Sequence, residues 1–222
     1  MRVAAIMPCR GRETQTLAVV KRLVATAGQV DWRLTCIGAK TESNLLQYVS
    51  HMGVHTRCLL DRERLTYWQA MQYETEFYAT DGAQAPQLIC NLANDLLPGQ
   101  HWLQRAVSAY AQTFGEEPGM IGLNDGHHEA GHSCHFLIHR QLLARYGGWP
   151  VWYDHNYGDT ELCQRAIAEG RYAKAPWATL FHDHPYFGGA DDAVYAEGRA
   201  QGDRDHQLYE WRRARNWPAT NP

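Results

Sequence analysis

The chain has 222 residues, 45% of them hydrophobic, which is enough to close one sizeable core but short of two ordinary domains. Its formal charge of −3 comes from interspersed acids and bases, which excludes the broad cationic surface that counterion release at nucleic acid requires. No apolar run reaches the roughly 18 to 20 residues that span a bilayer, and the start MRVAAIMPCRGRE carries no cleavage-type signal, so a cytoplasmic protein without stable membrane insertion is expected.

Short apolar runs alternate with helical patterns through the first half, as in a parallel sheet built from βαβ units. Val3 to Met7 reads as a strand, and Thr14 to Ala27 as a helix with Leu17, Val20 and Leu23 on one face. A second strand is expected from about Trp32 to Gly38, a helix from Ser43 to Met52, a third strand from Val54 to Leu60 and a helix from about Leu65 to Ala79. After the turn-rich DGAQAP, QLICNLA is a continuous apolar strand of the kind covered on both faces. Beyond Pro98 the spacing predicts a helix over His101 to Phe114, strands at Met120 to Leu123 and His135 to Ile138, and helices over Gln141 to Tyr146 and Asp159 to Glu169. EGRYAKAPWATLFHDHP reads as a strand ending at His182, and the polar tail from Asp191 to Arg215 as helical. The aromatic and basic LYEWRRARNW within that tail reads as a packed terminal helix. The six cysteines, Cys9, Cys36, Cys58, Cys90, Cys134 and Cys163, are dispersed without a CxxC pair, which favours buried thiols over disulfides or a zinc knuckle.

Ligands of open α/β sheets bind beyond the carboxyl ends of the strands, which selects CRGRE, GAKTE, DRERL and ANDLLP as the lining of one cleft. In the last of these, Asn94 and Asp95 offer an amide and a carboxylate at the sheet edge. They read either as an Asx turn or as oxygen ligands for a hard cation, Mn²⁺ or Mg²⁺, whose remaining positions go to water and phosphate. Arg10 and Arg12 suit bidentate bonds to phosphate. Asp159 stands where it can cap a helix or take a proton, and Glu161 and Arg165 are spaced for a surface ion pair.

ANDLLPGQHWL resembles the ND-x-x-P-x-x-GW segment of family 2 glycosyltransferases with the GT-A fold, and GDTELCQR resembles their D-x-[DE]-L-x-x-R motif. GMIGLNDGHH through HFLIHRQLLARYGGW resembles their acceptor side, particularly that of compact phage-borne members. The resemblance implies one α/β domain with a mostly parallel central sheet and flanking helices, with residues 1–98 as the nucleotide-sugar-binding half and 99–222 as the acceptor and catalytic half. It implies a metal-dependent, inverting transfer of a sugar from a nucleotide-diphosphate donor, a UDP-sugar by default, to a hydroxyl of a glycan or of a hydroxymethylated DNA base. Asp95 then holds the metal with His182 or His184, and Asp159 is the general base. Pro8, Arg10, Arg12 and Asn94 contact the donor, and Asp61 is a place where the base could be read. Trp152 and Tyr153, in GGWPVWYDHNYG, are acceptor contacts, as is His184 if it leaves the metal to His182. The chain departs from the family pattern at Asn91 and Leu96, which replace carboxylates, at Gly158, which replaces an acid, and at Gly38, where an acidic residue commonly follows the second strand.

Two other readings compete. His128-Glu129-Ala130-Gly131-His132 matches the H-E-x-x-H of zinc hydrolases, although Gly131 interrupts the continuous helix that motif requires. A nucleotide-sugar-binding module without turnover would carry the same donor residues. His127, His128, His132 and His135 read either as an ordinary solvated loop or as a mobile loop over the cleft that contacts donor or acceptor.

Overall fold

The structure is a computed structural model that describes residues 1–82, 85–128 and 131–219. Three parallel strands form its first edge: β1 (Val3–Pro8), β2 (Trp32–Ala39) and β3 (His55–Leu59). They are linked by α1 (Glu13–Thr26) and α2 (Ser43–Ser50), and α3 (Tyr67–Ala79) leads on to β4 (Leu88–Asn91), which pairs with the other side of β1. After the three-residue β5 (Leu96–Pro98) come α4 (Trp102–Phe114), β6 (Met120–Asn124), β7 (Phe136–His139), α5 (Arg140–Arg145), α6 (Gly158–Ala168), β8 (Tyr172–His182), α7 (Ala193–Ala200) and α8 (Gly202–Arg213). The eight strands lie in the order β3-β2-β1-β4-β7-β6-β8-β5, and four of the seven pairings are parallel. This is the mostly parallel, single-sheet α/β architecture expected from the sequence.

Successive side chains of β1 go to opposite faces, as the period of a strand demands. Val3, Ala5 and Met7 join the core beneath α1, α2 and α4, whereas Ala4 and Ile6 join the core beneath α3, α5, α6 and α8. Both faces are covered, which is why these strands read as continuous apolar runs. Cys9, Cys36, Cys90 and Cys163 are buried free thiols in these layers, as expected.

Two features place the site. The strand order reverses between β1 and β4, so the turns after them flank one crevice. The second feature is an irregularity in β8. Its pairing with β6 jumps from Leu123↔Ala175 to Asn124↔Thr179, where Pro176 has no N–H for the ladder and its carbonyl accepts instead from Asn124 Nδ2 at 2.8 Å. The bulge carries β8 on to β5, in a register that sets Leu96 opposite His182.

The tail is helical as predicted, but as α7 and α8 with a break at Gln201. The expected Glu161–Arg165 pair is present at 3.3 Å, yet it is not a surface pair: Glu161 is fully buried. Arg212 of α8 donates to both Glu161 oxygens at 2.8 and 2.9 Å, and the Tyr153 hydroxyl adds a third bond at 2.9 Å. Removing one partner of a buried ion pair strands the other charge. Arg212→Ala is therefore expected to lower unfolding free energy by about 3 kcal/mol, read as a lower urea midpoint.

Candidate active site

Asp95 lies in the turn between β4 and β5 and is 5% exposed. Its backbone is tied to β8 by a bond from the Asp183 N–H to the Asp95 carbonyl at 2.9 Å. Around its carboxylate, Tyr195 of α7 donates to Oδ2 at 2.7 Å, and Arg12 Nη1 lies 3.4 Å from the same oxygen. Oδ1 is 3.3 Å from His182 Nε2, without the alignment of a hydrogen bond, and has no hydrogen-bond partner among the described residues. Burial alone would raise this carboxyl. The contact and charge of His182, with the Tyr195 hydroxyl, outweigh it and hold the group well below the usual carboxylate range. Burial likewise pulls the His182 imidazole down, and Asp95 more than compensates, raising it.

A buried carboxylate oxygen left without a partner, beside an imidazole nitrogen at 3.3 Å, fits a divalent cation. Adjacent donors of an octahedral ion with bonds of about 2.1 Å stand roughly 3 Å apart. Asp95 and His182 are thus the pair that could hold one, and a mixed oxygen and nitrogen pair suits Mn²⁺.

A cavity of about 450 Å³ opens on one side of Asp95, lined by Pro8, Arg10, Arg12, Gly38, Glu42, Arg64 and Asn94, with Glu197 of α7 across it. Arg12 begins α1 in the left-handed region, φ 55 and ψ 44, a conformation that costs a non-glycine residue about 1 to 2 kcal/mol. It is held there by two bonds to Asp192, at 2.5 and 2.9 Å, and by the face of Tyr195 at 3.7 Å from the ring centroid. Glu197 pairs with Arg10 and, at 2.5 Å, with Arg64. A side chain at Gly38 would meet Glu42 Cβ at 2.9 Å, which accounts for the missing acidic residue there. Glu42 lines the cavity instead and accepts from the Gly11 N–H at 2.9 Å.

A second cavity, about 820 Å³, opens on the other side and shares Tyr67, Ala93, Asp95 and His155 with the first. Asp159 lines it from the first turn of α6, bonded through Oδ1 to the Thr160 N–H at 2.8 Å. Asp159 Oδ2 is 3.5 Å from His132 Nε2. The preceding loop is fixed by Asp205 of α8, whose buried carboxylate accepts the N–H groups of Asp154, His155 and Asn156 at 2.8 to 3.0 Å. Tyr157 then turns the chain through φ 67 into α6. A Cβ at Gly158 would stand 2.3 Å from Trp68 Cε2, so no acidic side chain fits where the family pattern has one.

The histidine loop is not the solvated segment expected. His127 stacks on Phe187 with ring centroids 3.7 Å apart, and Asp125, fully buried, accepts from the N–H groups of His127 and His128 and from His128 Nδ1 at 2.9 to 3.0 Å. His135 is buried, with Nδ1 3.2 Å from the Asn91 carbonyl. Burial, then the charge of His182, lowers its pKa to about 4. Burial pushes the Cys134 thiol well up, reinforced by the charges of Asp159 and Asp125. His128 and His132 lie on no helix, which removes the geometry a zinc hydrolase needs, and Glu129 of that motif lies outside the described residues.

The structure brings together Pro8, Arg10, Arg12, Asn94, Asp95, Asp159, His182 and His184 around the two cavities. Asn94 bonds Thr16 Oγ1 at 3.0 Å and lies 3.3 Å from Arg12, so it positions the arginine. Three expectations are corrected. Asp61 projects into solvent beside Arg62 and lines neither cavity; Arg64 and Glu63 take that wall. Tyr153 is fully buried on Glu161, and Trp152 is half-buried under the Arg212 guanidinium at 3.9 Å; neither lines a cavity. Tyr195, Asp192, Glu197 and Asp205 were not legible as site residues, because each reaches the site from 50 or more residues away.

The sequence matches no protein-family model and no curated protein. Its fold does match solved structures. One is a mannosyltransferase from Pyrobaculum calidifontis in complex with GDP-Man and Mn²⁺, with a TM-score of 0.68 at 16% identity over 100% of this chain and 66% of that one. A second is the catalytic domain of Drosophila β1,4-galactosyltransferase 7 in complex with xylobiose, with a TM-score of 0.57 at 15% identity over 90% and 80%. A third is residues 1–349 of TarS from S. aureus, with a TM-score of 0.62 at 9% identity over 82% and 60%. This chain therefore spans less than two thirds of the mannosyltransferase and of the TarS fragment. The shared architecture is the GT-A fold.

His135 gives a pH signature. Its folded pKa of about 4 lies below the ordinary 6.5, so the unfolded state binds more protons between those values and stability falls as pH drops from 6.5 to 4. The loss from this one group reaches about 3 kcal/mol. His135→Gln is expected to flatten that part of the curve, measured as urea midpoints at pH 7 and pH 4.5.

Proposed function

We propose that the chain is a metal-dependent, inverting glycosyltransferase that moves a sugar from a nucleotide-diphosphate donor to a hydroxyl acceptor. The observation that carries this reading is the meeting of two cavities at one buried, ionised carboxylate, Asp95, with an arginine-lined wall on one side and Asp159 on the other. The matched mannosyltransferase and a manganese complex of galactosyltransferase 7 hold GDP-Man and UDP-Gal, respectively, on the same architecture, which supports a nucleotide-sugar donor here.

The donor lies in the smaller cavity, its diphosphate toward Arg10, Arg12 and Arg64. Asp95 and His182 would hold Mn²⁺ or Mg²⁺, which when bound neutralises charge on the departing diphosphate. His184 belongs to the acceptor wall: its ring is 4.6 Å from that of Tyr195, and its Nδ1 accepts from the Tyr186 N–H at 3.1 Å. The acceptor enters the larger cavity, where Asp159 Oδ2 takes the proton of its hydroxyl. The oxygen bonds to the anomeric carbon as the bond to the diphosphate oxygen breaks, on the opposite face of the sugar. Oδ1 stays fixed by Thr160, so the carboxylate needs no reorientation during the transfer. One domain serves both substrates, residues 1–98 supplying most of the donor wall and 99–222 the catalytic wall. UDP- and GDP-sugars are the first donors to test, and glycans and hydroxymethylated bases the first acceptors.

With Mn²⁺ and the right donor, thermal unfolding is expected to shift upward, since ligand at 100 times its Kd adds about 2.7 kcal/mol. Asp95→Ala should abolish both that metal-dependent shift and turnover. Asp159→Asn should retain the shift and lose roughly 10²- to 10⁴-fold in kcat. Full Mn²⁺-dependent activity in Asp95→Ala would overturn the assignment.

A further inference from the structure

His128, His132 and Cys134 converge on the larger cavity, and one potential ligand atom from each lies within 4.8 Å of the others. The Cys134 Sγ to His132 Nε2 distance is 3.9 Å. Donors around a tetrahedral Zn²⁺, with bonds of about 2.0 to 2.3 Å, stand roughly 3.3 to 3.8 Å apart. Closing the three onto one ion thus requires side-chain shifts of only about 1 Å.

The surroundings are those of a supported metal site. His128 Nδ1 is 2.9 Å from Asp125 Oδ2, the carboxylate–histidine arrangement that fixes a metal-binding ring. Asp125 also accepts from the Cys134 N–H at 3.3 Å, so one buried carboxylate orients two of the three ligands. Lys174 Nζ binds the carbonyls of both His128 and His132, holding the two ends of the intervening segment together. A thiol with two imidazoles selects a borderline or soft ion such as Zn²⁺ over Mg²⁺ or Mn²⁺. This chemistry differs from the carboxylate and imidazole at Asp95 and His182.

We propose that His128, His132 and Cys134 form a second, thiolate-containing site for Zn²⁺-class ions, and that filling it inhibits transfer by drawing on the neighbouring Asp159 carboxylate. His132 Nε2, 3.5 Å from Asp159 Oδ2, is the nitrogen an ion would take, which sets a dication beside that oxygen. A carboxylate next to a dication is a weaker base. The binding stands without the transferase reading, while the inhibition rests on it.

The test is a Co²⁺ titration of the full chain, wild type and variants, followed by absorption. One equivalent is expected to give a thiolate-to-cobalt charge-transfer band that Zn²⁺ displaces. The band should persist in Asp95→Ala and disappear in Cys134→Ser, and His128→Ala should weaken affinity at least about 10-fold. A band that survives Cys134→Ser, or one lost in Asp95→Ala, overturns the site. Far-UV circular dichroism reports whether each variant folds, and His128→Ala, at a partly exposed position, decides if Cys134→Ser does not. With a donor that supports turnover, Zn²⁺ at the concentration that displaces cobalt should cut wild-type activity at least 10-fold. Relative to their own zinc-free rates, Cys134→Ser and His128→Ala should lose less. Binding that leaves wild-type turnover unchanged overturns the link to Asp159. A chain that shows no transfer with any donor defeats the transferase reading alone, because the cobalt titration still decides the site.

Discussion

Asp95 is a carboxylate almost wholly removed from water and still held in its charged form. Such a group is tolerated only where hydrogen bonds and opposite charge replace its hydration. Its partners come from three distant parts of the chain: Arg12 from the turn after β1, His182 from the end of β8, and Tyr195 from α7. Much of the C-terminal third can be understood as the structure needed to deliver them. β8 breaks its ladder at Pro176 to reach β5, and α7 folds back so that Tyr195 and Asp192 meet Asp95 and Arg12.

The same third of the chain also positions Asp159, through a separate pair of buried acids. Glu161, one turn into α6, is locked to Arg212, and Asp205 gathers the three N–H groups just before Tyr157. Both contacts join α8 to the loop and helix that carry Asp159. Loops hold a side chain in place only when something rigid fixes their backbone. Here that support is a surface-looking helix whose polar sequence gives little sign that Asp205 and Arg212 are buried.

What could be read from the sequence was what repeats locally. The strands β1 to β4 and the helices between them follow from apolar periodicity, and the crevice beyond β1 and β4 follows from the topology of parallel sheets. Asp95 and Asp159 stood out through short motifs at the ends of such elements. β5 did not, because three residues including a proline carry no period and form a strand only by pairing with β8. Tyr195 and Asp205 were hidden for a related reason: a bond across 100 or 51 positions leaves no mark on its neighbours in sequence. Trp152 and Tyr153 failed in the opposite direction. Their aromatic character is compatible with a sugar face, but Tyr153 is buried on Glu161, Trp152 is half-buried against Arg212, and neither lines a cavity.

The departures at residues 91, 96 and 158 also acquire physical reasons. Asn91 donates to the Cys134 carbonyl at 2.8 Å and accepts from the Phe136 N–H at 2.8 Å, a two-way bridge between β4 and β7 that an ionised aspartate could not make. Leu96 is a core residue of β5, fully buried opposite His182, where a charge would lack a partner. Gly158 touches the Trp68 ring. Each position that could have carried another acid is committed to packing or to a neutral hydrogen bond. Negative charge at the junction of the cavities therefore rests on Asp95, and Arg12 divides its attention between that carboxylate and Asp192. A cation held there by one carboxylate and one imidazole would depend on oxygens outside the protein to complete its shell, which ties its retention to an occupied first cavity.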